Sequence, residues 1–446
     1  MVVGIVATSL EVRAQGQGGG AVAQGVIVDA SGVLRTVVVG EPTDRLNRMR
    51  RQVAQPTGAF AERSSLRKIS LARVAREVQA YVSAGKPVPD ELKFLGGITQ
   101  IQYVFVYPEE RDIVVAGPAE AWELDSAGRV VGQLSKRPVL RLEDLVVALR
   151  TFPPGGRENT IVGCTINQTA EGVRNLNQFL ASLGSSVDPR QINPALVQRV
   201  RDSMGLQDVE IWGVPGDSRL AAVLVEADYR MKLIGIGLEN PRVRGLTTYY
   251  NLLGPGDGGM NKLQRWWFVP DYEAIVESQD GNAFEFRGQR AKLVGADDKL
   301  RATGEVERGE SAGGSTKRFA QSFTAHFLEL ARINPIYADM QNAFDWIIVA
   351  ALIQQRDLVN QVAPDLAYFV QSSEYQPESL PVPKQAESVV NAKWIGRKLA
   401  IPVGGGVVVE PWKLLDSPSL RTRDSELGAR HRAARMGGRS DRWYWE

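Results

Sequence analysis

Two hydrophobic periods run through this chain, and each predicts a kind of element. Short β-branched runs within residues 25–39 flank Asp29-Ala30-Ser31-Gly32, a turn composition, and predict a hairpin. The same punctuation recurs where Trp122-Glu123-Leu124 leads through Asp125-Ser126-Ala127-Gly128 into Val130-Val131. It recurs again where Ile275-Val276 leads through Asp280-Gly281 into Phe284-Glu285-Phe286. Between the first two hairpins, Leu71, Val74, Val78, Tyr81 and Val82 are spaced for a helix that Gly85 and Pro87 stop. Further helices are expected over 142–149, 173–183 and 194–204, the last with Asn193 as cap, Pro194 at its first position and Gly205 past its end. An antiparallel helical pair, 319–333 and 335–355, is divided by Asn334-Pro335. An apolar run, a proline and an acidic neighbour recur near Pro108, Pro215 and Pro270, which fits either duplicated units or ordinary strand ends.

Residues 217–232 satisfy both periods. As a strand, Val223, Val225, Ala227, Tyr229 and Met231 share one face; as a helix, Leu220, Val223, Leu224, Ala227 and Met231 form one stripe. Helix is the expectation, because Asp217 or Ser218 supplies a cap and Glu226–Arg230 and Asp228–Lys232 are acid-first i,i+4 pairs. Asp228 then lies near Leu224 and Met231, partly buried, and a strand over 233–238 follows.

The 446 residues are too many for one ordinary core, and 43% apolar with 23% charged residues is the composition of a folded, soluble protein. The expected class is α/β (α+β): β-hairpins and short mixed sheets with interspersed helices and a helical hairpin near the C-terminal end. The expected organisation is a signal peptide over 1–14, a Gly/Gln-rich tether over 15–25, α/β domains over 26–155 and 156–357, then a Pro-containing linker and a largely disordered Arg-rich tail over 358–446. The signal reading rests on the uncharged run from Val2 to Leu10 and on Val12-Arg13-Ala14, with cleavage after Ala14, although a charged n-region is missing. Export follows as an expectation, and the apolar run from Trp346 to Ile353 is too short to predict a transmembrane span.

Fifty-three basic against 51 acidic side chains leave a net charge of +2, too weak a field to recruit nucleic acid. Residues 45–76 are locally basic, with Arg45, Arg67, Lys68 and Arg76 among nine cations against Glu62 alone, and this segment is a candidate surface for an anionic envelope component. One cysteine, Cys164, and two histidines, His326 and His431, cannot form a zinc cage, so no metal is expected. Gly254, Gly256 and Gly259 have dinucleotide-loop spacing, but a strand-like run follows and Asp257 would oppose a phosphate; no cofactor is expected. Gly216-Asp217-Ser218 resembles the nucleophile block of GDSL-type esterases. The D-x-x-H acid of that family is missing, since Phe323 precedes His326 and Gly428 precedes His431, so a helix cap is the plainer reading. His326 lies in the stripe Phe319, Phe323, His326, Leu330, Ile333 and is expected to meet Asp345 across the helical hairpin, as an acid-oriented base or as a structural pair.

Val214-Pro215-Gly216-Asp217-Ser218-Arg219-Leu220, running into Val225-Glu226-Ala227-Asp228-Tyr229-Arg230-Met231-Lys232, resembles an uncharacterised domain-of-unknown-function family of planctomycete bacterial proteins, as does Asn342-Ala343-Phe344-Asp345. The resemblance spans roughly 87–355 and implies export but no activity. The expected function is a non-catalytic exported or envelope protein that binds a partner or envelope polymer; the rival is a hydrolase using carboxylates with or without His326. Candidate binding residues are Asp228, Arg230, Lys232, His326 and Asp345, and the two readings differ in whether these share one cleft.

Overall fold

A computed structural model describes residues 24–29, 31–38, 53–183, 194–254, 262–300, 306–307, 309–310, 312–391, 393–395, 398–400, 404–417, 421–435 and 442–446. The signal expectation, the tether up to residue 23, residues 255–259 of the dinucleotide-loop expectation and the basic residues 45–51 lie outside them, while Gln24 and Gly25, expected to end the tether, begin a strand.

The first seven strands are β1 (Gln24–Val28), β2 (Val33–Val38), β3 (Ser64–Ser70), β4 (Tyr103–Tyr107), β5 (Asp112–Ala119), β6 (Trp122–Leu124) and β7 (Val130–Gly132). Next come β8 (Val162–Gln168), β9 (Leu206–Trp212), β10 (Lys262–Asp271), β11 (Ala274–Ser278), β12 (Ala283–Arg287), β13 (Arg290–Leu300) and β14 (Val306–Glu307). The last are β15 (Gln385–Glu387), β16 (Lys393–Ile395), β17 (Lys398–Ala400), β18 (Gly405–Val409), β19 (Arg421–Asp424) and β20 (Tyr444–Trp445). Nine strands form one sheet in the order β1-β2-β15-β9-β8-β18-β10-β13-β14, and seven form another in the order β19-β11-β12-β4-β5-β3-β20. The class is α/β with mixed sheets, and β1–β2, β6–β7 and β11–β12 are the three expected hairpins.

The seven-stranded sheet shows the period of two at work. Val104, Val106, Ile113 and Val115 join the main core, while Tyr103, Phe105, Tyr107 and Val114 face the other way in a second cluster. Helix α1 (Leu71–Ser83), capped by the Ser70 side chain, covers the first face. The other helices relevant here are α2 (Leu142–Thr151), α3 (Ala170–Ser182), α4 (Pro194–Met204), α5 (Arg219–Gly235), α6 (Gly314–Ala325), α7 (Phe327–Ile333), α8 (Pro335–Gln355) and α9 (Ser425–Ala434). The α8 helix is the centre of the core, buried at every position from Ile336 to Ile353. Its length and composition match those of a membrane span, and all of that window is buried within the protein.

Several expectations are corrected. Residues 233–238 do not form a strand: α5 continues to Gly235, and Gly237, at φ +74°, lets the Leu238 amide return to the Leu233 carbonyl at 2.8 Å, closing the helix. The first arm of the helical hairpin is two helices, α6 and α7, broken at His326. The segments around Pro108, Pro215 and Pro270 are not equivalent: Tyr107 and Trp212 end strands of different sheets, whereas Pro270 lies within β10, paired with Ala291.

The described parts of the C-terminal region, where a largely disordered tail was expected, are built into the fold. Strand β18 sits inside the large sheet, antiparallel to β8 and parallel to β10, β19 extends β11, and β20 pairs with β3. Helix α9 covers the second face of the smaller sheet, with Leu427 and Ala434 in its cluster and His431 stacked 4.5 Å from Tyr107. The large sheet also draws strands from both sides of residue 155, and one core cluster extends from Leu34 to Leu415. Strand pairing, not chain position, therefore groups these elements.

Candidate functional site

Helix α5 lies between the large sheet, where it meets β8 and β18, and helix α8. Ser218 caps it, accepting from the Ala221 amide at 3.2 Å while its hydroxyl donates to the Pro215 carbonyl at 2.6 Å, which is the cap role rather than a nucleophile's. A helix covered on two sides must pair its polar residues internally. Toward the sheet, Lys232 Nζ donates to Asp228 at 2.9 Å and to the Ile166 carbonyl at 2.9 Å. Asp228 is 0% exposed, and burial raises its pKa although Lys232 opposes the shift. Gly405 explains how β18 passes this pair, since a Cβ there would stand 2.6 Å from Lys232 Cε and 2.8 Å from Asp228 Oδ1.

On the α8 side the same helix carries a ladder of charges. Arg219 pairs with Asp144 of α2 and lies 2.6 Å from Asp339 of α8, while Glu226 pairs with Arg129. Arg230 Nη2 is 2.8 Å from Glu239, which also accepts from Asn334 Nδ2 at 3.2 Å. Burial pushes the Asp144 carboxyl up to about 7; Arg219 opposes the shift, and Glu143 and Asp339 add to it.

Asp345 and His326 do not meet. Asp345 accepts from the Tyr272 hydroxyl at 2.7 Å and from Arg290 Nε at 3.3 Å, fully buried, whereas His326 Nδ1 lies 2.8 Å from the Ser322 carbonyl at the α6–α7 break. Gly245 presses on the other side of that ring, its Cβ position 2.9 Å from Nε2. The helical periodicity of 319–333 assumed one continuous helix, and the break turns His326 away from α8. The basic segment is also partly consumed: Arg67 is 1% exposed and bonds Glu446 and the Gly96 and Ala59 carbonyls, and Lys68 is buried beside it.

The candidate residues thus share no single cleft: Asp228 and Lys232 form one buried pair, Arg230 and Asp345 are buried with other partners, and His326 is half-buried against the Ser322 carbonyl. An open concavity among the described residues lies elsewhere, a groove of about 320 Å³ between the 152–160 loop, the C-terminal end of α8 and the short helix Pro411–Leu415. Trp412 and Phe152 supply its aromatic surface, Asn159, Gln354 and Gln355 its amides, and Glu158 and Asp416 its carboxylates. Sequence reasoning missed all of these. The available signals were Pro153-Pro154-Gly155-Gly156, a turn composition, and a tryptophan directly after Pro411. Among the described residues no group of His, Cys, Asp and Glu is arranged to hold a metal ion.

A family model described as Protein of unknown function (DUF1598) matches residues 164–249. That segment runs from β8 through α3, α4, β9 and α5, and includes the 214–232 stretch that carried the resemblance; Asn342–Asp345 falls outside it. No curated protein and no solved structure matches the chain. The DUF1598 segment thus contains the buried Asp228–Lys232 pair and half of the charge ladder, but no part of the groove.

Proposed function

We propose that this is a non-catalytic, exported or envelope-associated binding protein whose groove beside Trp412 holds a segment of an envelope polymer. The observation that carries the reading is the groove itself: an aromatic and amide-lined concavity on the outside, while the charged groups of the interior are paired with one another. Export draws its support from the uncharged run Val2 to Leu10 followed by Ala14. An anionic component on residues 45–76 has less support, because Arg67 and Lys68 are buried.

The rival hydrolase reading gains one specific observation, since Glu158 and Asp416 both line the groove and acid–base work requires two carboxylates. One experiment separates the two. Isolated cell-envelope polymer is incubated with the full chain, and both bound protein and released fragments are measured. Binding without fragments, lost in Trp412→Ala, is the expected outcome; fragment release abolished by Glu158→Gln or Asp416→Asn would favour the hydrolase.

A further inference from the structure

Resting on that reading of the groove, we propose that its ligand is a neutral oligosaccharide segment, not an anionic polymer, an amine or an extended peptide. Charge removes the first alternative. No lysine, arginine or histidine is among the lining residues, Lys413 beside Trp412 is already paired with Glu410, and Glu158 and Asp416 would repel a polyanion. The lining instead favours hydrogen-bond donors. Gln354 Nε2 is bonded to the Pro153 carbonyl at 2.9 Å and Gln355 Nε2 to Asp416 at 2.7 Å, so each amide has one N–H left beside its acceptor oxygen, and the two carboxylates add acceptors only.

A ligand rich in hydroxyls and free of negative charge meets such a wall, and the C–H face of a sugar ring suits the apolar surface that Trp412, with Lys413 over its ring, and Phe152 turn to the groove. An amine has the right charge, but the position of a cation over the Trp412 ring is filled by Lys413 Nζ, 5.2 Å from the ring centroid, and Lys413 is held there by Glu410 at 2.7 Å. An extended peptide that binds by adding a strand finds no sheet edge here, because the groove is made of a loop, a helix end and a short helix.

The test is calorimetric titration of the full chain with chitotetraose and cellotetraose as neutral probes, dextran sulfate as the polyanion, spermine as the amine and an unstructured heptapeptide. Saturable binding of a neutral probe that weakens tenfold or more in Trp412→Ala is the expected result, with thermal unfolding showing that the variant is folded. If Trp412→Ala does not fold, Glu158→Gln replaces it, with the same loss expected. Trp412-dependent binding of dextran sulfate, spermine or the peptide in place of the sugars would overturn the ligand class and leave the groove as the binding site. Neutral-probe binding that survives Trp412→Ala, or Glu158→Gln where it replaces that variant, or no binding of any probe, would overturn the ligand assignment and the groove reading together.

Discussion

Around helix α5 carboxylates and cations face one another, Asp228 to Lys232, Asp339 to Arg219, Glu239 to Arg230, each within 2.6–2.9 Å and all covered by sheet or helix. At the groove the carboxylates Glu158 and Asp416 have no cation among the lining residues, and they are exposed. The same residue types therefore do different things in the two regions. Inside, ionic groups set how α2, α5 and α8 are positioned, because an uncompensated buried charge costs several kcal/mol. Outside, polar groups left without a charged partner are available to a ligand. Density of charged residues along the sequence thus points to architecture in this protein, and the groove is assembled from three segments distant in the chain.

The largest effect that would sharpen this contrast is expected at Asp345. Replacing it with alanine leaves Arg290 and Tyr272 without their buried acceptor and should cost about 3–5 kcal/mol of stability, read by denaturant unfolding, with groove binding unchanged in the folded fraction. A loss below about 1 kcal/mol would show that this interior charge is not structural.

Next in size is a pH dependence. The Asp144 carboxyl is raised from 3.8 to about 7 by burial, so the folded protein keeps a proton that the unfolded chain releases between about pH 4 and 7. The unfolded state binds fewer protons in that window, and stability falls as pH rises, by at most about 1.4 kcal/mol per unit from this group. Asp112, raised to about 6 by burial, contributes with the same sign, so Asp144→Asn should flatten the slope rather than abolish it. An unchanged slope in Asp144→Asn would remove the ladder from the account of stability.

A smaller expected effect is the Trp412→Ala loss of ligand affinity, about 1.4 kcal/mol or more for a tenfold change, with little change in unfolding midpoint because Trp412 is only half-buried. The smallest is His326→Ala. Its ring meets one carbonyl and a glycine, and the change should stay within about 0.5 kcal/mol in stability and leave binding intact.

What the sequence conveyed about the fold follows from how local each signal is. The hairpins at 24–38, 122–132 and 274–287 and the helix Pro194–Met204 are fixed by neighbouring residues, and they form as expected. Residues 217–232 fit two periods, and the Ser218 cap correctly indicated a helix. The burial of Asp228 and its pairing with Lys232 were also legible, being an i,i+4 relation. Pairings across long separations were not: Asp345 finds Arg290 at the start of β13 and Tyr272 in the turn between β10 and β11, and Arg219 finds Asp144 and Asp339 on two other helices. The Arg-rich composition after Asp416 concealed an ordered helix and two strand additions, because β19 and β20 take their hydrogen-bonding partners from β11 and β3 rather than from their own apolar pattern. The groove was invisible for the same reason, since no one of its three walls carries a motif.

The central claim is that ligand binding belongs to the Trp412 groove and not to the charged helix inside the DUF1598 segment. It is tested most directly by titrating one neutral oligosaccharide into the wild-type protein, Trp412→Ala and Asp228→Asn under identical conditions. The account predicts affinity lost tenfold or more in Trp412→Ala and retained in Asp228→Asn. Affinity retained in Trp412→Ala and lost in a folded Asp228→Asn protein would contradict it and move the site to helix α5.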